Sequence, residues 1–592
     1  MASTESFDRT ATISNAVTLH RHGELDQASA IYARIIEKEP GNADAFHLLG
    51  LIAMEKGDYA KAGRSILHAI KMNPENALYY VSLGDLYQCR KDREKQIASY
   101  RQALMIDPDL VKALYRLGKA YAETERFAEA AICLRQAIEN NPDVPELYYE
   151  LGEVYAFQKD FKRAYEAFDK AIERKPDYTA AMISLANLLR DQGHFPEADS
   201  YYRQAMQLEP DSTVLKYSRG IFYHMQHAYD EARDCYQQVI DAHPAHYGVH
   251  VNMGKLFQDR NDYANALIYY QRAQRIDPAN GDARFYRSLV LLSLGEFEQG
   301  WKEYEARLER EKWQFIYPYR LSTPRWRDEP LEGKTIFVHS EQGFGDTIQF
   351  VRYLPLLKQR GGRVVFEVRP QLFDLLQGFP GVDFMVSMAG KPPVQSNIDY
   401  HVPLLSLPGI FKTDLETIPG AVPYITADAE KVRLWETRRS EDDFNVGLVW
   451  LAKPSYRHNK SCPLKILEPI FSIPKVSIYG LQKFDDPKDH AMLPFKIDNW
   501  GDGIESFADT AAAIQCLDLI VTVDTAVAHL AGAMGKRVFT LLPFSADWRW
   551  STKRNDSPWY PTMTLYRQVA VDDWKGIVDR IVKDLSKAAA YE

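Results

Sequence analysis

Three short stretches in the C-terminal part of the chain combine residue types that can handle an anion and a proton. The first is Glu341-Gln342-Gly343-Phe344-Gly345-Asp346. It follows a β-branched run and opens an amphipathic one. Gly343 and Gly345 keep such a loop thin, so backbone N–H groups can approach a ligand, and the helix start that follows favours negative charge. The Asp346 carboxylate has two roles open to it: cap of that helix, or general base facing a cleft. The second stretch is VTVDTAVAHLAGAMG, residues 521–535. Asp524 or Thr525 can cap a helix there, which leaves the N–H groups of Thr525, Ala526 and Val527 for a phosphate. His529 falls near the first turn, where both ligand contact and plain packing are open to it. The third stretch runs from Lys453 to Ser461 and holds Lys453, Arg457, His458 and Lys460. Its cations suit either solvent or an anion. Three anion-compatible loops beside one cleft are more specific than any one of them.

The elements that must carry these loops read as strand–loop–helix units. KTIFVHS (334–340) precedes the first loop, and RVVFEV (363–368) follows its helix. A second series begins at Asn445 with VGLVWLA and continues as VSIYGL (476–481), LDLIVTV (517–523) and RVFTLLP (537–543). Helical stretches fall between them, including Phe507–Cys516 and Thr525–Gly535. This alternation predicts parallel α/β sheets. Two halves, 333–442 and 443–592, imply a cleft, with ligands at the carboxyl ends of the strands.

Upstream the texture is different. Prolines recur at 40, 74, 108, 142, 176, 210, 244 and 278, a constant step of 34. Ala16, Gly50, Gly84, Gly118, Gly152, Ala186, Gly220 and Gly254 keep the same phase. This period resembles the tetratricopeptide repeat, in which each helix pair buries its apolar face only against its neighbours. About nine repeats cover 9–311. The last, near 281–311, keeps Phe285 and Trp301 but no closing proline, and reads as a capping or docking unit. Residues 312–332, aromatic and with three prolines, read as a docking linker rather than a flexible one. Stacked repeats predict a concave groove lined by first helices. Tyr115, Lys119, Tyr149, Asn187 and Tyr217 fall on that face and are candidate acceptor contacts, although any one tyrosine can instead pack between helices.

Composition narrows the alternatives. The 592 residues are 46% hydrophobic and 26% charged, as in soluble globular proteins, and the net charge is −9. Neither part of the chain has a basic excess, so nonspecific nucleic-acid binding is disfavoured. Cys89, Cys133, Cys235, Cys462 and Cys516 include no C-x-x-C pair, which argues against a disulfide framework and a structural zinc site. No signal-peptide h-region and no run of roughly 18 apolar residues is seen, so a cytoplasmic protein without a membrane span is expected.

The region 333–585 resembles the heptosyltransferase-like glycosyltransferases of glycosyltransferase family nine, in Gly345-Asp346 before a helix and in the Asp524, Thr525, His529, Leu530, Ala531 pattern. With the repeats, the chain is similar to bacterial tetratricopeptide-repeat protein glycosyltransferases, including enzymes that modify flagellin. Matching features are Trp450 to Pro454, Lys460-Ser461, Leu481-Gln482, Ala546–Trp550 and Ser557–Pro561. Leu-Ala-Lys-Pro after Trp450 departs from that group's x-G-N-P. The resemblance implies an all-α tetratricopeptide superhelix followed by a GT-B-like pair of Rossmann-type halves. It implies an inverting, metal-independent transfer with Asp346 as base. Gly343, Gly345, Lys460, Ser461, Gln482, Asp524, Thr525, Ala526 and His529 would lie around a nucleotide-sugar donor, a co-substrate rather than a cofactor. The expected acceptor is Ser or Thr of a protein held by the repeats, with flagellin the specific expectation. Two rival readings are a lipopolysaccharide-type heptosyltransferase and a repeat scaffold with a catalytically silent core.

Overall fold

The computed structural model describes residues 9–310, 321–341, 343–388, 397–420, 422–453, 460–484 and 497–590, with side chains from residue 13 onward. Arg457 and His458 of the cationic loop, and residues 312–320 of the linker, lie outside the described residues. The chain divides into two compact units, 1–222 and 223–592.

Unit 1 is helical. Its helices alternate 13- and 14-residue lengths, from Arg9–Arg21 to Phe195–Leu208, with Thr213–Met225 straddling the unit boundary. The phased small residue does what its position demands. A Cβ on Gly84 would lie 2.3 Å from the Tyr100 ring, so only glycine lets the two helices of that repeat close. Asn42, Asn76, Asp58, Asp92 and Asp160 cap helix starts with side-chain oxygens.

Unit 2 opens with the last repeat helices and continues into two sheets. The first is four-stranded: β1 Thr335–His339, β2 Arg363–Val368, β3 Phe384–Ser387 and β4 Tyr400–Pro403, in the order β3-β2-β1-β4. The second is six-stranded: β5 Phe444–Val449, β6 Val476–Gly480, β7 Asp498–Asn499, β8 Leu519–Val523, β9 Arg537–Leu542 and β10 Met563–Arg567, in the order β10-β9-β8-β5-β6-β7. Every pairing is parallel. β5 and β8 are buried along their whole length, as a central parallel strand covered on both faces must be. The strand order reverses between β5 and β8, which makes their carboxyl ends the switch point where ligands bind in such sheets.

The last helix pair, Gly281–Leu294 and Phe297–Tyr304, packs on the α/β region. Phe285, Trp301 and Tyr304 share one buried core with Ile348, Phe350, Trp548 and Trp559 of the α/β region. Trp301 Nε1 donates to the Thr413 carbonyl at 2.8 Å, and its ring meets Trp548 edge-on at 5.3 Å. The helix Ala429–Glu436 packs with the second sheet's elements: Lys431 holds Asp509 at 2.5 Å, and Trp435 lies 5.4 Å from Trp500. Among the described residues no helix is long and apolar enough to cross a membrane.

Candidate active site

The loop after β1 begins with Glu341, whose side chain is fully buried. Its carboxylate takes a bidentate pair from Arg307, at 2.8 and 2.9 Å, and an N–H from Leu405 at 3.0 Å. Arg307 also reaches Ser406 Oγ at 2.7 Å. Glu341 is thereby committed to joining the last repeat to the first sheet and has no open face for catalysis.

Asp346 sits one turn into the helix Phe344–Phe350. The Gly343 N–H donates to its Oδ2 at 2.9 Å, so the capping role is real. Its Oδ1 accepts from Arg549, a residue 203 positions away on the second half. The Asp346 side chain keeps 16% of its surface open. Capping and an outward face coexist at this residue. Gly345 is required for a different reason than ligand approach: a Cβ there would lie 2.7 Å from His529 Cδ2. The two loops predicted separately therefore meet.

His529 lies buried on the helix Ala526–Ala533. Its Nδ1 shares a 3.0 Å hydrogen bond with the Tyr560 hydroxyl, and its ring stacks on Trp550 at 5.2 Å. Burial lowers its pKa to about 4, against the opposing pull of Asp524. The imidazole is thus neutral near pH 7 and acts through packing and one hydrogen bond, not as a cation. Thr525 is the N-cap of this helix but makes no side-chain cap bond; its Oγ1 lies 3.3 Å from that of Thr522. Ala526 is half-buried. Leading N–H groups of a helix have no intrahelical acceptor, so this end remains suited to an anion.

Lys460 Nζ donates to Asp524 Oδ2 at 2.5 Å. Burial alone would depress the Lys460 ammonium, but Asp524 and Asp547 outweigh it and the pKa rises. Lys460 therefore stays charged. Ser461 and Gln482 hold the altered turn after β5: Ala452 N donates to Ser461 Oγ and Leu451 N to Gln482 Oε1, both at 3.0 Å. Lys453 is exposed at its end. The turn keeps two side-chain anchors despite the Leu-Ala-Lys substitution.

Arg549 is the residue that sequence reasoning left without a role. It is 7% exposed and holds Asp346, Asp547 at 2.8 Å and Gln349 at 2.7 Å. The carboxylates of Asp547 and then Asp346 outweigh burial and raise its pKa. The electrostatic cluster is then Lys460 and Arg549 against Asp346, Asp524 and Asp547, with neutral His529 between them. It lies at the carboxyl ends of β1, β5 and β8. Among the described residues no group of three or more His, Cys, Asp or Glu is placed to hold a metal ion.

In unit 1 the candidate groove side chains are half-buried and engaged with neighbours. Tyr115 donates to Glu150 at 3.3 Å, and Lys119 pairs with the same carboxylate while lying 5.5 Å over the Tyr115 ring. Tyr149 packs against Tyr178 at 5.4 Å and Phe168 at 6.1 Å. Asn187 Oδ1 accepts from Tyr202 at 2.7 Å and Arg190 at 2.9 Å. Tyr217 is half-buried on Thr213–Met225.

Comparison with known proteins finds repeats along most of the N-terminal part and a glycosyltransferase match near the C-terminus. Tetratricopeptide-repeat models match residues 15–77, 77–110, 115–179, 157–216 and 251–314. The model for glycosyltransferase family 9 (heptosyltransferase) matches 504–568, which holds Asp524, His529 and Arg549. The chain is 26% identical over 332 residues to Protein FlbA of Caulobacter vibrioides, covering 52% of this chain and 55% of the relative. It thus spans about half the length of that curated relative. Among solved structures it is similar to a tetratricopeptide repeat protein of Parabacteroides merdae, at 20% identity and TM-score 0.37 over 44% of this chain and 98% of the other. PilF of Pseudomonas aeruginosa matches at 22% identity and TM-score 0.31, over 34% and 92%. The chain combines tetratricopeptide repeats with a glycosyltransferase-like C-terminal region.

Proposed function

We propose that the protein is an inverting, metal-independent protein glycosyltransferase of GT-B type. The observation that carries this is that Asp346 of one half accepts from Arg549 of the other and Gly345 abuts His529, beside the Lys460–Asp524 pair at the carboxyl end of β8. In the reaction, an acceptor Ser or Thr oxygen attacks the anomeric carbon of a nucleotide sugar. Its proton passes to the Asp346 carboxylate. The bond from that carbon to phosphate oxygen breaks on the opposite face, and the nucleotide leaves with the electron pair. Lys460 and the N–H groups of Thr525 and Ala526 meet the developing charge. Lysine and helix end together supply what a metal supplies elsewhere. Gly343, Ser461 and Gln482 shape the walls.

The repeats would hold the polypeptide acceptor, and flagellin is the specific proposal, on the resemblance alone. A catalytically silent core is the second reading; it is favoured by the engagement of both Asp346 oxygens with Gly343 and Arg549. The test is a thermal-shift screen of nucleotides and nucleotide sugars on the full chain, followed by intact-mass analysis of flagellin from cells with and without the gene. Stabilisation by one nucleotide class and a sugar-sized mass difference support the proposal. No stabilisation by any nucleotide would leave the scaffold reading, and an unchanged flagellin mass would dispose of that acceptor.

A further inference from the structure

Three consecutive residues, Trp548-Arg549-Trp550, touch three different parts of unit 2. Trp548 packs edge-on against Trp301 at 5.3 Å and lies 6.4 Å from Tyr304, both on the last repeat. Trp550, fully buried, stacks on His529. Between them Arg549 is clamped by Asp547 and Gln349 and faces Asp346 Oδ1. We propose that Arg549 is the positioning residue of the candidate base. The proposal rests on the reading of Asp346 as base.

The geometry gives the reason. A carboxylate oxygen has two lone-pair sites. Gly343 N–H uses one on Oδ2 and Arg549 uses one on Oδ1, so the carboxylate is fixed in rotation while a site remains open on each oxygen. A single tether would leave it free to turn about its Cβ–Cγ bond. Arg549 can act as the second tether because it is itself immobile. Gln349 takes its Nε, Asp547 its Nη1, and the flanking tryptophans are enclosed in the core. Lysine has one donor nitrogen on a flexible stem and cannot hold Gln349, Asp547 and Asp346 in one plane. Through Trp548, the last repeat braces the turn that carries Arg549.

Two readouts on the full-length protein test this. The first needs no donor: hydrogen exchange by mass spectrometry across residues 343–350. Arg549→Met should speed exchange there about tenfold, well beyond any change in residues 526–533, while the melting temperature falls because Asp346 and Asp547 lose their cation. Arg549→Lys should fall between. The second is nucleotide release from an equimolar panel of UDP-N-acetylglucosamine, ADP-heptose, GDP-mannose and CMP-sialic acid, with a total protein extract as acceptor. Arg549→Met should lower kcat about 100-fold with donor KM within about threefold, as expected for a misplaced reacting group. The double variant with Asp346→Asn should be no slower than Asp346→Asn alone. Unchanged exchange in 343–350, or exchange rising throughout unit 2, overturns the positioning role, as does a double variant showing the product of the two losses. Full turnover by Asp346→Asn overturns the base assignment instead, and the exchange result remains to report on the Arg549 tether.

Discussion

Asp346 separates the two main readings of the molecule, because its cap and base roles respond differently to one atom. Asp346→Asn keeps an oxygen for the Gly343 N–H, though its amide NH2 then faces Arg549 and that ion pair is lost. Asparagine cannot take a proton from a hydroxyl, and losing a general base costs roughly 10²–10⁴-fold in rate. The expected outcome is a protein that melts within a few degrees of the parent but transfers sugar at least 100-fold more slowly; a near-native rate would reduce Asp346 to a cap. His529 gives a pH prediction. Its native pKa is about 4, below the ordinary 6.5. The unfolded chain therefore binds this proton from pH 6.5 downward while the native chain does not until about pH 4. Stability contributed by keeping His529 neutral is present above 6.5 and is lost as pH falls to 4, by about 3 kcal/mol at most. Urea titrations from pH 7 to 4.5 should show that slope, shared with His339 and His401, whose pKa values burial also lowers, and His529→Gln should reduce it by its own part. Asp346 and Asp524 stand out in sequence because each follows a β-branched run beside glycine or a helix start, and Lys460 because it lies in a cationic loop. Arg549 does not, since nothing local marks a residue whose partner lies 203 positions away. Glu341 shared the first loop's pattern, and only the fold reveals that Arg307 has claimed it.

Helices and strands with strong patterns were readable, and their failures follow from length. The 34-residue period located the repeats, since each repeat carries the same interhelix seam. β1, β2, β5, β6, β8 and β9 were visible as apolar runs. β7 has two residues, and β3 has half-exposed ends, so neither offers a run to read. β10, MTLYR, interrupts its buried residues with Thr564 and Arg567 and lacks the uniform apolar run of its neighbours. What sequence could not give was the approach of the two loop-bearing helices. That contact makes a prediction at Gly345, which the sequence explained as a thin loop and the structure explains as a space for His529. Gly345→Ala places a methyl 2.7 Å from an imidazole that cannot retreat, because Trp550 lies behind it. Overpacking of this kind costs roughly 1–3 kcal/mol. Gly41→Ala is the control, with nothing within 4 Å of its new Cβ. Calorimetry should show a lowered melting temperature for Gly345→Ala alone; equal melting would mean that the two helices separate freely.

At the scale of the whole chain, sequence texture suggests a boundary near residue 312, whereas the compact unit begins at Tyr223. Texture follows the repeat period, and compactness follows burial, and the two part company at the last repeat. Trp301 and Tyr304 belong by period to the helices and by burial to the core around Trp548. Arg307 belongs by position to the end of the repeats and by charge to Glu341. A fragment 312–592 would lack all three residues. It would leave Glu341 buried without its bidentate partner, and removing one member of a buried pair costs about 3–5 kcal/mol. It would also uncover the faces of Trp548 and Gly409 that Trp301 fills. Net stabilities of domains are only about 5–15 kcal/mol, so these losses together are large enough to unfold it. A fragment 212–592 keeps every one of these contacts and starts ahead of the helix Thr213–Met225. The expected outcome is that 212–592 shows one sharp cooperative thermal transition with native near-ultraviolet ellipticity, while 312–592 is insoluble or melts without a baseline. Glu341→Gln in the shorter fragment should recover part of the loss by removing the stranded charge. A shorter fragment as stable as the longer one would mean that the last repeat is a detachable module and that the buried Arg307–Glu341 pair contributes nothing to the core.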